Sequence, residues 1–365
     1  MLVDTTNIVL NDEKEFLDLI KGYVDTGTWS TTLANYLELV PASKIKISDF
    51  DNLSDVKAFE DTAKNTGLYI KIEGKEFPVG KSAMKSIMDR CRVSGSVFRE
   101  MSKPDLTKVL NTFLMYANGD ALIRFANDKV RAVLAGETNG YSIINMFDVF
   151  KETQNYLNKE YADSAFIQGT FTHELAVGKW EIVDNRISDL YKGTFKKFTS
   201  KKICGIVTVS DSDTGHSGAN IYVSLKADNL VMALGKPIKC EHKGASTLAD
   251  YEMNLKMILS KINESVEKIN SLSKITVKHP NDTVNNMMKR VGLGKKYISA
   301  VWDYRKMIYS NPEESTNAKD LYLDICSILE FADGKSDIEL LNIEERIGRI
   351  MSLNIPDYDY LNKAE

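Results

Sequence analysis

Cysteine is scarce in this chain: four residues in 365, Cys91, Cys204, Cys240 and Cys326, far apart and with no C-x-x-C pair. That spacing signals neither a zinc ribbon nor a redox dithiol, and the expected state is four reduced thiols acting as small hydrophobes. Proline numbers seven and glycine 21, which argues against a disordered or fibrous chain. The four histidines, His173, His216, His242 and His279, are scattered, so no Ser/His/Asp or Cys/His catalytic set can be argued from them. No stretch approaches the ~18 apolar residues needed to span a bilayer. Met1 to Glu13 has neither the basic start nor the apolar run of a secretory signal, so a cytoplasmic protein with no membrane partner is expected. Positive charge is in slight deficit, with 47 Lys and Arg against 51 Asp and Glu and a net charge of −4. A protein that coats duplex DNA with its whole surface is therefore disfavoured, whereas a local basic patch is not.

What is present is ordinary for a folded chain: 43% hydrophobic and 27% charged residues. The length allows two or three domains and a sizeable core. Periodicity predicts a helix or two over 13–40, from Phe16, Leu17, Ile20 and Val24 and then Leu33, Tyr36, Leu37 and Val40. It predicts a short strand at 44–47, a helix over 51–64 and a strand over 68–72 ending at Gly74. Ser82 reads as the N-cap of a helix over 82–92, and Pro104 opens another over 105–116. Runs 121–125 and 130–134, joined by Asn127-Asp128, have the form of a β-hairpin. A helix follows at 143–157. Between Ser164 and Leu225 the period falls to two, which reads as an antiparallel block. Residues 248–272 read as one amphipathic helix, and helices at 282–291, 295–309, 316–331 and 337–353 complete the chain. The expected fold class is α+β: a small α/β part (1–75), a strand-rich antiparallel centre (76–246) and an all-helical part (247–365).

Gly74 to Ser82 (Gly-Lys-Glu-Phe-Pro-Val-Gly-Lys-Ser) imitates a phosphate loop, but five residues separate its glycines where the motif needs four. Its proline also removes an N–H, so a strand, a turn and a capped helix is the reading preferred here. Asp211-Ser212-Asp213-Thr214-Gly215-His216 lies between two predicted strands. Asp211, Asp213 and His216, with His242 from a neighbouring strand, have the make-up of a hard divalent-cation site. The alternative is a polar hairpin loop using Asp, Ser, Thr and Gly for turn chemistry. No cofactor is otherwise indicated.

The densest charge feature is 191–202. Tyr191, Lys192, Phe195, Lys196, Lys197, Phe198, Lys201 and Lys202 supply five lysines and three rings with no acid among them. Lysines neutralise phosphates and rings stack on bases, which is what single-stranded nucleic acid requires. The alternative is a solvated connection whose rings dip into the core. Secondary basic groups are Lys81, Lys85, Arg90, Arg92 and Arg99, and Lys289, Arg290, Lys295 and Lys296 around Gly292-Leu293-Gly294.

Three segments together resemble the phage/plasmid-like protein family filed as domain of unknown function 932. Leu122-Ile123-Arg124 … Val130-Arg131-Ala132-Val133-Leu134 is similar to that family's paired strands, with Ala135 in place of a serine and Asn145 before a helix. Val209-Ser210-Asp211-Ser212-Asp213-Thr214-Gly215 is similar to its Asn-Ser-Glu-Thr-Gly type loop, and His242-Lys243-Gly244 to its His-x-Gly element. The family's Cys-x-Asn-Gly element is not evident, since Cys240 is followed by Glu241-His242. The resemblance spans roughly 75–355 and implies a gene of a phage, prophage or plasmid in a bacterial host.

The reading that follows is a non-enzymatic, single-strand nucleic-acid binding or annealing protein of a mobile element, with self-association left open. One alternative is an interaction factor against host defence or host machinery, using Trp302, Tyr304 and Tyr309 as anchors. Another is a metal-dependent phosphodiester enzyme using Asp211, Asp213, His216 and His242.

Overall fold

The computed structural model describes residues 3–46, 53–136, 140–161, 163–194, 203–228, 230–331 and 336–362, with the side chains of 192–194 excepted. The chain is mixed α+β, and all its paired strands are antiparallel. The central run of strands has the expected alternation. It comprises β8 (Asp163–Thr172), β9 (Ala176–Val183), β10 (Ile203–Asp211) and β11 (Ala219–Ala227). β1 (Asn7–Leu10), β12 (Leu230–Ala233) and β13 (Ile238–Cys240) complete a seven-stranded sheet in the order β1-β8-β9-β10-β11-β12, with β13 also on β11. Every residue of β10 is buried, so this strand is covered on both faces.

One large core forms on this sheet. α1 (Glu13–Asp25) and α6 (Met146–Glu160) contribute Phe16, Ile20 and Phe150 to it. α8 (Leu248–Leu255), α9 (Ile258–Ser271), α10 (Pro280–Arg290), α11 (Lys295–Ile308), α12 (Ala318–Cys326) and α13 (Asp337–Ile350) join the same core. Gly169 on β8 lets α1 sit close, because a Cβ there would come within 2.2 Å of the Phe16 ring. The short strands β14 (Thr276–Val277) and β15 (Thr316–Asn317) pair between helices.

A second core belongs to two three-stranded sheets. One holds β2 (Thr28–Leu33), β6 (Asp120–Ala126) and β7 (Lys129–Ala135). The other holds β3 (Glu38–Pro41), β4 (Leu68–Ile72) and β5 (Lys75–Pro78). α3 (Ala83–Arg90) and α5 (Lys103–Leu114) pack Ile87, Leu106 and Leu110 on them. α7 (Asn185–Thr194) adds Ile187 and Tyr191 to the large core, and α2 (Leu53–Lys64) and the single-turn α4 (Val97–Glu100) complete the helices. The hairpin turn between β6 and β7 is the expected one: Asn127 and Asp128 have φ of 51° and 61°, a left-handed pair that Asn and Asp tolerate well.

Four expectations need correction. Residues 28–41 form β2 and β3, not a second helix, because β2 pairs with β6, which lies some 90 positions away in the chain. Of the strand expected at 44–47, Lys44 closes a 3₁₀ turn (Ala42–Lys44), residues 45–46 are irregular and residue 47 lies outside the described residues. The 248–272 stripe is two helices, α8 and α9, broken at Lys256-Met257 without a glycine or proline to announce it. Ser82 does not cap α3 through its side chain; its hydroxyl donates to the Arg131 carbonyl at 2.8 Å.

The expected domain boundaries also differ from the cores. The smaller core runs from Ala34 to Val133 and so crosses the 75/76 division, while β1 and α1 belong to the large sheet. The C-terminal helices share one core with the strands, so 246/247 is not a break. Both results follow from strand and helix partners distant in sequence.

Candidate functional site

The β10–β11 loop folds inward between the two sheet systems. Asp211, Ser212, Asp213 and Thr214 are all buried. The Asp213 carboxylate accepts from Arg124 Nε at 2.5 Å and from the Tyr23 hydroxyl at 3.2 Å. The Arg124 guanidinium lies over the rings of Tyr23 and Trp29, 5.5 and 5.2 Å from their centroids. Gly27 makes room for it, since a Cβ there would fall 2.0 Å from the guanidinium. Arg124 comes from β6, so this ion pair joins the small sheet to the large one.

Asp211 has a different partner. His242 Nε2 lies 2.7 Å from its Oδ1, and His242 Nδ1 lies 3.1 Å from the Ser142 carbonyl. Tyr141 stacks on the imidazole at 4.9 Å and donates its hydroxyl to the Ser212 carbonyl. Burial pulls the His242 pKa down, but the Asp211 charge and hydrogen bond outweigh it, so the pKa is raised from its usual value. Thr214 Oγ1 lies 2.9 Å from His216 Nδ1, and Ser212 donates to the Glu174 carbonyl at 2.5 Å. Burial lowers the His216 pKa, opposed by the charge of Glu174. Glu174 is itself held below the usual range, chiefly by its hydrogen bond with His173 and then by the charge of His216.

The four cation-site candidates are therefore neighbours: Asp213 is ion-paired with Arg124 and Asp211 Oδ1 is hydrogen-bonded to His242, while Asp211 Oδ2 is buried with no hydrogen-bond partner among the described residues. Among the described residues no group of three or more His, Cys, Asp or Glu side chains is arranged to hold a metal ion. The loop is the polar hairpin connection expected as the alternative, with its turn chemistry buried: the Ser212 N–H donates to Asp211 Oδ1, the Thr214 N–H donates to Ser212 Oγ, and Gly215 has a φ of 77°.

Of the expected nucleic-acid surface, Tyr191 is corrected. Its ring is 1% exposed and belongs to the large core, so it presents no stacking face. The reason is local: α7 turns Ile187 and Tyr191 toward the sheet at helical spacing. The Lys192 side chain, and Phe195, Lys196, Lys197, Phe198, Lys201 and Lys202, lie outside the described residues.

The secondary basic groups divide. Arg90 donates to the carbonyls of Asn118 and Asp120, a structural role. Lys289, Arg290, Lys295 and Lys296 flank a turn whose Gly292 carbonyl accepts from Arg346. Lys81, Lys85 and Arg99, in contrast, line a cleft of about 920 Å³ together with Lys64 and Lys103. None of these five engages a carboxylate in an ion pair among the described residues. Asp89 and Glu174 are the acids of the cleft, and half-buried Phe98, Met84 and Met88 give it an apolar wall. Lys85 also donates to the Gly215 carbonyl at 3.3 Å, which sets the cleft against the buried loop.

Lys64 and Lys103 escape sequence reasoning because they come from α2 and the start of α5, whereas Lys81, Lys85 and Arg99 belong to a basic group visible in the sequence.

Glu174 and His216 also wall a second cleft of about 600 Å³ between the sheet and α13. Comparison of the chain with protein-family models, with curated proteins and with solved structures gives no match. No helix among the described residues is long and apolar enough to cross a membrane.

Proposed function

We propose that the protein binds single-stranded nucleic acid along the basic cleft, as a non-enzymatic binding or annealing factor of a mobile element in the cytoplasm of a bacterial host. The observation that carries this reading is the set of five basic side chains, Lys64, Lys81, Lys85, Arg99 and Lys103, that line one cleft without ion-pair partners among the described residues, in a protein of net negative charge. Such cations are held for an anion from outside the chain. The apolar wall supports a single strand over a duplex. A duplex hides its base faces, whereas unpaired bases can lie on Phe98, Met84 and Met88. The lysines of 192–202 extend the same proposal along the chain.

A gel-shift series tests it, using single- and double-stranded DNA and RNA at about 50 and about 200 mM salt. Five phosphate contacts at a slope of about 0.7 each correspond to roughly a hundredfold loss of single-strand affinity between those concentrations. Equal binding to duplex, or binding indifferent to salt, contradicts the reading.

A second reading has one observation in its favour. On α11, Tyr304 packs against the 56% exposed Phe331, near Met307 at 70% and Ile308 at 54% exposure, an apolar surface suited to a host protein. The other expected anchors are half-buried and engaged: Trp302 packs against the large core, and Tyr309 donates to Asp324. Capture of a host protein after nuclease treatment, lost in Phe331→Glu, favours this second reading over the first.

A further inference from the structure

We infer that the hairpin between α10 and α11 is a second nucleic-acid surface, one that grips the phosphates of a duplex. Lys289 and Arg290 end α10, Lys295 and Lys296 begin α11, and Gly292-Leu293-Gly294 turns the chain between them. All four basic residues are exposed, and none engages a carboxylate in an ion pair among the described residues. Arg346 of α13 adds a fifth charge, since its guanidinium donates to the Gly292 carbonyl. No acid occurs in the sequence between Asp282 and Asp303. Glu345, beside Arg346 on α13, is already paired with Lys239 and Arg349.

The two lysines of α11 do not serve the helix that carries them. Lys289 and Arg290 suit the negative end of the α10 dipole, but Lys295 and Lys296 occupy the first two positions of α11, its positive end. That first turn holds no acid, and its N-cap, Gly294, has no side chain to accept from the free N–H groups. Two cations there, beside three more, repel one another in the free protein. An anion from outside the chain relieves the repulsion.

The shape selects a duplex. The apolar residues of the turn face inward: Val291 is 8% and Leu293 1% exposed, and Tyr297 packs against the large core. The hairpin therefore offers charge without a free ring on which an unpaired base could stack, unlike the basic cleft with Phe98, Met84 and Met88. Nor does the turn present an apolar side chain to sink into a lipid surface. A duplex needs only the charge, because its bases are inside and its phosphates supply one negative charge per ~1.7 Å of axis. Contacts of this kind carry no sequence information. The hairpin shares no residue with the basic cleft, so the inference does not rest on the single-strand reading. Together the two surfaces let one molecule hold a strand and the duplex that annealing makes.

The experiment is a fluorescence anisotropy titration of a labelled DNA duplex and of a labelled single strand of the same length. The wild-type protein is expected to bind the duplex, more weakly than the single strand and equally for AT-rich and GC-rich sequences. Lys289→Gln/Arg290→Gln/Lys295→Gln/Lys296→Gln is expected to weaken duplex binding about tenfold or more and to cut its salt slope by about 3.6, at about 0.9 per lost contact, with single-strand affinity kept. Gly294→Asp is the second variant. A Cβ at this position meets nothing within 4 Å, and an aspartate N-cap strengthens α11. The melting temperature should therefore hold or rise while duplex affinity falls. Duplex binding that is absent in wild type, or untouched by both variants, overturns the inference. So does binding to phosphatidylserine vesicles without binding to duplex. A wild type that binds duplex but no single strand supports the hairpin surface and overturns the single-strand reading.

Discussion

Arg124 on β6 and Asp213 on the β10–β11 loop are 89 residues apart in sequence, yet they meet at 2.5 Å with side chains only 3% and 8% exposed. The pair holds the small sheet system against the large one and sets the loop on which Gly215 and His216 reach the clefts. Removing one partner of a buried ion pair leaves an uncompensated charge, a cost of about 3–5 kcal/mol. Arg124→Met should therefore lower stability by that order in urea denaturation. The double variant Arg124→Met/Asp213→Leu should recover much of the loss. A loss below about 1 kcal/mol for the single variant would show that the pair does not hold the sheets together.

Asp4 occupies a similar position for the basic cleft. Its carboxylate accepts from Arg131 at 2.7 Å, from Lys129 at 3.2 Å and from the Lys81 backbone N–H at 3.0 Å. Asp4→Ala takes the carboxylate from Arg131, leaves Lys129 with Asp61 alone of its two acids, and removes the acceptor of the Lys81 N–H. The expected result is destabilisation of about 3 kcal/mol or more together with weaker single-strand binding. Unchanged melting would separate this network from the shape of the cleft.

The Asp211–His242 pair makes a prediction about pH. The folded-state pKa of His242 is raised, so the stability it contributes is fully present below the unfolded value of about 6.5 and is lost as pH rises through the folded value. His216, with a lowered pKa, acts in the opposite sense: its contribution is present above about 6.5 and lost as pH falls. The two partly cancel in wild type. The difference in melting temperature between wild type and His242→Gln should therefore be largest at low pH and shrink as pH rises above neutrality. A difference that grows with pH would mean that the pair is not ionic.

All four cysteines are buried, and burial pushes the thiols of Cys91 and Cys240 up to about 12 and about 11. A thiolate is the reactive form, so none should react with a disulfide reagent in the native protein at pH 8. All four should react in denaturant. A rapidly labelled native thiol would contradict the burial of the strand or helix that carries it.

The β6–β7 hairpin, α1, α5 and the central strands were legible in sequence because their signals are local: Asn127-Asp128 for the turn, Pro104 at the start of α5, and period two from β8 to β11. β2 was misread because Leu33, Tyr36, Leu37 and Val40 have helical spacing by coincidence, whereas Thr28 to Leu33 are held as a strand by pairing with β6. The site was legible in fragments. Asp211, Asp213, His216 and His242 do gather, but sequence carries no sign that Arg124 would pair with one carboxylate and His242 hydrogen-bond to the other. Tyr191 shows the opposite failure: a ring in a lysine-rich run has the composition of a binding platform, and its position on α7 sends it into the core.

The salt dependence of single-strand binding tests the central claim most directly. Anisotropy titrations of a labelled single-stranded 20-mer, repeated across a range of salt, give the slope of log affinity against log salt for wild type and for Lys81→Gln/Lys85→Gln/Arg99→Gln. Three lost phosphate contacts should reduce the magnitude of the slope by about 2 and weaken binding at every concentration. A variant that binds with wild-type affinity and slope would contradict the account, because the cleft would then not be where the strand lies.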